Sequence, residues 1–150
     1  MLIREMTNAE CDAALAGTDF ARLACVRDAK PYVVPINFSY DGQHLYGVTT
    51  LGQKIEWMRL NPLVCLEIDQ RLAPDDWMSV IVFGRYEELP DTPMYRPLRA
   101  HALEVLQKRT IWWEPACVPS DGKEPRPTVY YRIDIEQMTG RRGLPGAIED

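Results

Sequence analysis

The segment Thr49-Thr50-Leu51-Gly52-Gln53-Lys54 gathers the residues with the clearest chemical use. Its two threonine hydroxyls can donate hydrogen bonds to a phosphate. Gly52 lets the backbone approach an anion closely. Apolar alternation gives way to helical spacing here, so a helix should start near Gly52. The free N–H groups of a helix start favour negative charge. Lys54 adds a full positive charge in the first turn, with Arg22 and Arg59 as possible helpers. The spacing is not that of the longer P-loop. A plain strand-to-helix turn with a solvated lysine fits the same residues.

Two further segments could face a planar ligand. In Val33-Val34-Pro35-Ile36-Asn37-Phe38, Pro35 cannot donate to a sheet ladder, so the strand should be bulged or lie at an edge. Asn37 points away from the apolar face, and its amide could meet a ring carrying donors and acceptors, or simply water. In Trp77-Met78-Ser79-Val80-Ile81-Val82-Phe83-Gly84, Trp77 and Ser79 share one face. An aromatic plane beside a hydroxyl suits a planar heterocycle, although a core tryptophan and a strand serine account for the same pattern. Trp112 and Trp113 could lid a pocket or bury against a partner chain. His44, after a turn, should be exposed, and His101 should be structural. No Ser/His/Asp or Cys/His arrangement and no carboxylate pair stands out.

These segments need a sheet to hold them. Thr7-Asn8-Ala9-Glu10 has capping-box spacing, so a short helix should follow and end near Gly17. Period-two alternation then predicts strands over 20–26, 32–40 and 45–49, with a hairpin at Asp41-Gly42. Residues 52–60 read as a helix, stopped by Asn61-Pro62. Strands are expected over 63–68 and 77–89, with a polar loop over 71–76 between them. Leu98, Ala102, Val105 and Leu106 mark a helix face. Residues 112–127 read as an irregular loop, 129–135 as the last strand and 140–150 as a loose tail. About six strands with links too short for parallel crossovers predict a largely antiparallel sheet closing into a barrel. The domain is expected over residues 1–140, with 141–150 as its C-terminal tail.

Composition narrows the function classes. A chain of 150 residues with 46% apolar content supports one domain with a real core. A net charge of −5 argues against coating nucleic acid, but not against one local anion site. No run reaches the ~18 apolar residues of a membrane helix, and the N-terminus lacks a signal-peptide stretch. A cytoplasmic protein is expected. The four cysteines (Cys11, Cys25, Cys65 and Cys117) are scattered and the histidines number two, so no metal site is expected. The thiols read as buried or free in a reducing compartment.

Taken in order, several segments resemble one known family. They are Arg22-Leu23-Ala24, Pro31 to Phe38, Gly52 with Lys54, Asn61-Pro62 with Val64-Cys65, Ser79 to Gly84, Tyr131-Arg132-Ile133 and Thr139-Gly140-Arg141. The chain resembles the FMN-binding split β-barrel proteins related to pyridoxamine 5′-phosphate oxidase, nearest to the nitroimidazole-resistance and general-stress flavoproteins. The resemblance implies a six-stranded split barrel with a few flanking helices, dimerising with two FMN sites at the subunit interface. It implies that Val34, Pro35, Ile36 and Asn37 line the flavin ring, that Thr49, Thr50 and Lys54 hold the phosphate, and that Trp77 and Ser79 complete the site, from the same chain or from the partner chain. Many nitroimidazole-resistance relatives carry a histidine where this chain has Val48, which cannot do acid–base work. A pyridoxal phosphate site is not evident.

Three functions follow as expectations. The first is an FMN-dependent oxidoreductase acting on an unidentified small molecule or electron donor, in which the cofactor carries the chemistry. The second is a non-catalytic flavin-binding or stress-response protein. The third is a deazaflavin or haem binder on the same barrel, although a polyanionic deazaflavin tail calls for more than one lysine at the mouth.

Overall fold

The computed structural model describes residues 1–108, 122–124 and 126–146. Strand β1 (Leu2–Glu5) leads into α1 (Asn8–Ala16). The helix begins with the expected capping box. Glu10 N donates to Thr7 Oγ1 at 3.2 Å, and Thr7 N donates to Glu10 Oε1 at 3.1 Å. Strands β2 (Phe20–Arg27) and β3 (Lys30–Asn37) form a hairpin. Asp28 and Ala29 both sit at positive φ, which matches the twist of paired strands. Strands β4 (Ser39–Tyr40) and β5 (His44–Thr50) follow, then helix α2 (Gln53–Leu60). The long strands β6 (Leu63–Ala73) and β7 (Asp76–Glu88), helix α3 (Arg96–Gln107) and strand β8 (Thr128–Leu144) complete the chain.

The sheet is antiparallel, in the order β3-β2-β6-β7-β8-β5-β4, with β1 added beside β8. Its two end strands, β3 and β4, are consecutive in sequence and separated by Phe38 alone. The chain bends there, and the bend curls the sheet back on itself into a split barrel. Phe38 is buried, and its N–H donates to Asp19 O at 2.9 Å. Leu23, Leu45, Ile55, Met58, Leu66, Val80 and Ile133 fill the interior with it. A second apolar cluster of Tyr46, Leu89, Ala102, Val105 and Leu106 seats α3 on the outside of the wall.

The fold class is as expected, and the strand count is higher. Two strands replace the one expected over 32–40, because the bend at Phe38 divides it. The polar loop expected over 71–76 is mostly strand. Arg71 pairs with Trp77, and the irregularity is confined to the Arg71–Ala73 step. Polar residues at this end alternate on an exposed ribbon, so their composition resembles a loop. The last strand also continues beyond residue 135 and past the expected boundary at 140. It runs to Leu144, because Arg141, Arg142 and Leu144 find backbone partners on β1. β1 itself was not foreseen, since four exposed residues carry no burial pattern. His44 is half-buried rather than exposed, with Nε2 at 3.3 Å from Asp134 Oδ1. Trp112, Trp113 and Cys117 lie outside the described residues.

The outer face of the sheet is unusually apolar. Val33, Ala24, Cys65 and Phe83 form one cross-strand row over β3, β2, β6 and β7. Val33 is 61% exposed and Phe83 47%, and Leu63, Phe20 and Val26 on the same face are also exposed. Within this face Arg22 binds Asp69 at 3.1 Å and Glu67 at 3.4 Å.

Candidate functional site

The Thr49–Lys54 turn presents an uncapped helix start beside a lysine. Gly52 is the N-cap of α2, and no side chain caps the helix. The first intrahelical bond at the cap runs from Glu56 N to Gly52 O at 3.1 Å. The N–H groups ahead of it are left for another acceptor. Leu51 N donates to Pro127 O at 2.8 Å, which fixes the loop against the segment entering β8.

Lys54 is half-buried, and among the described residues its side chain has no hydrogen bond or ion pair. Burial pushes its pKa below the ordinary lysine value, with no carboxylate to oppose the shift. A cation held this way is suited to a counter-charge brought from outside. Arg126 joins it, its Nη1 donating to Leu51 O at 3.4 Å. Arg126 went unread in the sequence because it lies at the end of a proline-rich stretch without periodicity. The other expected helpers are committed elsewhere. Arg59 makes a two-pronged bond to Glu88 at 2.8 and 3.1 Å, and Arg22 is held by Asp69 and Glu67.

The threonines divide. Strand alternation sends Thr49 to the side of Leu45 and Gly47, and Thr50 to the side of Tyr46 and Val48. Both are half-buried. Val48 packs into the cluster beneath α3, so the position expected to lack an acid–base group also faces away from the barrel interior.

Strand β3 is an edge, as Pro35 requires. It pairs with β2 without a bulge, so of the two expected alternatives the edge is correct. Ile36 is buried in the core and Val34 half-buried against it, while Pro35 and Asn37 are exposed. Ile36 can therefore offer a ligand only its backbone. The free side of an edge strand does carry unpaired backbone donors and acceptors. Trp57 on α2 lies 5.2 Å, centroid to centroid, from Tyr32 on β3, which ties the Lys54 helix to this strand.

Trp77 and Ser79 are not brought to this turn within one chain. Thr49 pairs with Val129 at the start of β8, and Ser79 pairs with Arg141 near its end. Twelve residues separate those two positions, on the order of 40 Å along a straight strand at ~3.3 Å per residue. The Trp77 indole covers Gly143, where an added Cβ would lie 2.5 Å from Nε1. Both histidines are engaged: His44 with Asp134, and His101 with Asp41 at 2.9 Å. Among the described residues no group of three or more histidine, cysteine, aspartate or glutamate side chains could hold a metal. No described helix is long and apolar enough to cross a membrane.

The family described as pyridoxamine 5′-phosphate oxidase matches residues 7–142. A protein of Rhizobium meliloti (strain 1021), described as uncharacterized, is 40% identical, over 99% of this chain and 100% of its own. The crystal structure of a FAD-binding protein from Mesorhizobium loti is 43% identical, covering 97% of this chain and 99% of that one, with a TM-score of 0.78. The FAD-binding protein of Mycobacterium smegmatis has a TM-score of 0.66 at 23% identity, covering 94% and 98% of the two chains, which shows a shared fold.

The strain at Lys54 has a measurable sign. Its folded-state pKa lies below its unfolded value, so its charge opposes folding at neutral pH and the penalty fades as pH rises toward the ordinary lysine range. Lys54→Met, which keeps the unbranched length, should raise the urea midpoint of the ligand-free protein at pH 7, and the gain should shrink by pH 10. A lower midpoint for the variant at pH 7 would mean that the ammonium has a partner inside the protein.

Proposed function

The chain belongs to the pyridoxamine 5′-phosphate oxidase family, and on that premise we propose that it is a flavin-binding protein whose cofactor phosphate sits on the Lys54 turn. The observation that carries this reading is the half-buried, unpaired Lys54 at an uncapped helix start. FMN brings a phosphate of charge near −2 to a chain whose net charge is −5, so its binding requires a local positive centre. Lys54 and the N–H groups of α2 supply it, with the half-buried threonine hydroxyls beside them. The free edge of β3, from Val34 to Asn37, supports a ring lying beside that turn. The flavin, when bound, supplies the electron transfer, and the protein supplies position and exclusion of water.

A second reading concerns the cofactor's length. The relative from Mesorhizobium loti is a FAD-binding protein, and Arg126 stands beside the same turn. FMN and FAD share the ring-proximal phosphate that Lys54 would hold. Arg126 would meet a second one. A flavin-dependent oxidoreductase remains the proposed activity, with non-catalytic flavin storage as the outcome if no electron donor turns over. The commitment of both histidines disfavours a histidine-assisted reduction, as does Val48.

The site is composite in this reading. Trp77 and Ser79 reach a flavin only from a second copy of the chain, because β8 holds them away from Lys54. The exposed apolar face of β2, β3, β6 and β7 supports such a homodimer, since patches of this kind mark contacts between chains. The reading therefore moves the expected contact from the Trp112–Trp113 loop to the sheet.

Two measurements test these points. Charge-assisted contacts are worth roughly 1.5–3 kcal/mol, so Lys54→Ala should weaken FMN binding by about tenfold to a hundredfold. Riboflavin, with no phosphate, should lose much less in the same titration. Equal losses would make Lys54 structural. Phe83→Asp places a charge on the apolar face and should give a folded monomer by light scattering, with flavin lost. A flavin-loaded monomer would contradict the composite site.

A further inference from the structure

A separate cleft of about 420 Å³ opens between the start of α1 and strands β7 and β8. Asn8, Ser79, Ile81, Thr139 and Arg141 line it, with Met6 and Glu5 at its sides. Ser79 and Arg141 are direct cross-strand partners, as are Ile81 and Thr139. All four side chains therefore project from the same face of the β7–β8 ladder. The cleft combines one guanidinium, two hydroxyls, an amide and an apolar wall.

The Arg141 side chain is uncommitted among the described residues: it makes no hydrogen bond and no ion pair. The reason lies in how its neighbours are paired. Asp69, next along the row beyond Ser79, is occupied by Arg22 at 3.1 Å. Glu5 stands opposite Arg141 in register on β1, yet the two make no ion pair. The nearby Arg4 is neutralised by Glu10 at 2.8 Å and does not add to the cleft's charge. An arginine fork beside a hydroxyl matches the planar geometry of a carboxylate, which it can grip with two parallel bonds. A single cation with Glu5 on the rim favours a monoanion over a dianion.

We propose that this cleft binds a small organic monocarboxylate, its carboxylate on Arg141 and Ser79 and its apolar body against Ile81 and Met6. The role rests on the flavin reading. Trp77 and Ser79 would border the ring supplied with the partner's Lys54 turn, so the carboxylate would lie beside the flavin as the small molecule it acts on. The binding itself does not depend on that reading.

The test is calorimetric titration of the full chain, as purified, with benzoate and with benzamide, its neutral isostere. Wild type should prefer benzoate by roughly tenfold, the worth of one charge-assisted contact. Arg141→Gln should abolish the preference and leave the flavin content per chain unchanged, and Arg141→Lys should keep part of it. Equal affinities in wild type, or an unchanged preference in Arg141→Gln, overturns the proposal. Loss of flavin from Arg141→Gln also overturns it, by assigning Arg141 to the cofactor. A flavin-free wild type that still prefers benzoate supports the cleft and overturns the flavin reading alone.

Discussion

The backbone ladder of β8 is the constraint on which the rest of the structure depends. This one strand pairs with β5 at its start, with β7 along most of its length and with β1 at its end. A strand is stiff and rises by a fixed amount per residue. Whatever it joins at its two ends is thereby held apart. It fixes Thr49 and Thr50, and with them the α2 start, at one end of the molecule. It fixes Trp77, Ser79 and Arg141 at the other. Of the site residues read from the sequence, Thr49, Thr50 and Lys54 therefore fall in one region, and Trp77 and Ser79 in another. The two regions can serve one ligand only if two chains meet.

Electrostatics point the same way. The chain is acidic, and several of its cations are spent on neighbours: Arg4 on Glu10, Arg22 on Asp69, Arg59 on Glu88 and Arg132 on Glu87. The exposed pairs among them contribute little to stability. Their effect on recognition is larger, because they reduce the number of positive centres free to attract an anion. Lys54 is one such centre, and partial burial makes it an unfavourable place to keep a charge without a partner. Arg141 is another, at the far end of β8. In the proposed reading, ligands supply the counter-charges of both.

Much of this was legible in the sequence, and the limits have physical causes. The capping box at Thr7, the hairpin at Asp41-Gly42 and the helix stop at Asn61-Pro62 are local signals, fixed by residues that touch each other along the chain. The Lys54 turn was legible for the same reason. The full length of β8 was not, because residues past 140 are exposed and their strand state comes from pairing with β1, which is distant in sequence. Arg126 was hidden in a stretch with no period. The pairing of Arg22 and Arg59 with carboxylates on other strands also depends on register, which spacing along one segment does not reveal. Ile36 shows the reverse case: the alternation that marks β3 as a strand also places this side chain in the core, so only its backbone is free for a ligand.

The composite site is tested most directly by complementation between two damaged chains. Lys54→Ala and Trp77→Ala chains, carrying different affinity tags, are mixed, allowed to exchange and purified as heterodimers. Each heterodimer then has one site with both lesions and one with neither, provided that Lys54 and Trp77 come from different chains. The account predicts tight flavin binding at one site per heterodimer, half the wild-type stoichiometry, while each homodimeric variant binds weakly. Heterodimers that bind no better than either variant would show that Lys54 and Trp77 do not meet across the interface, and would contradict the account.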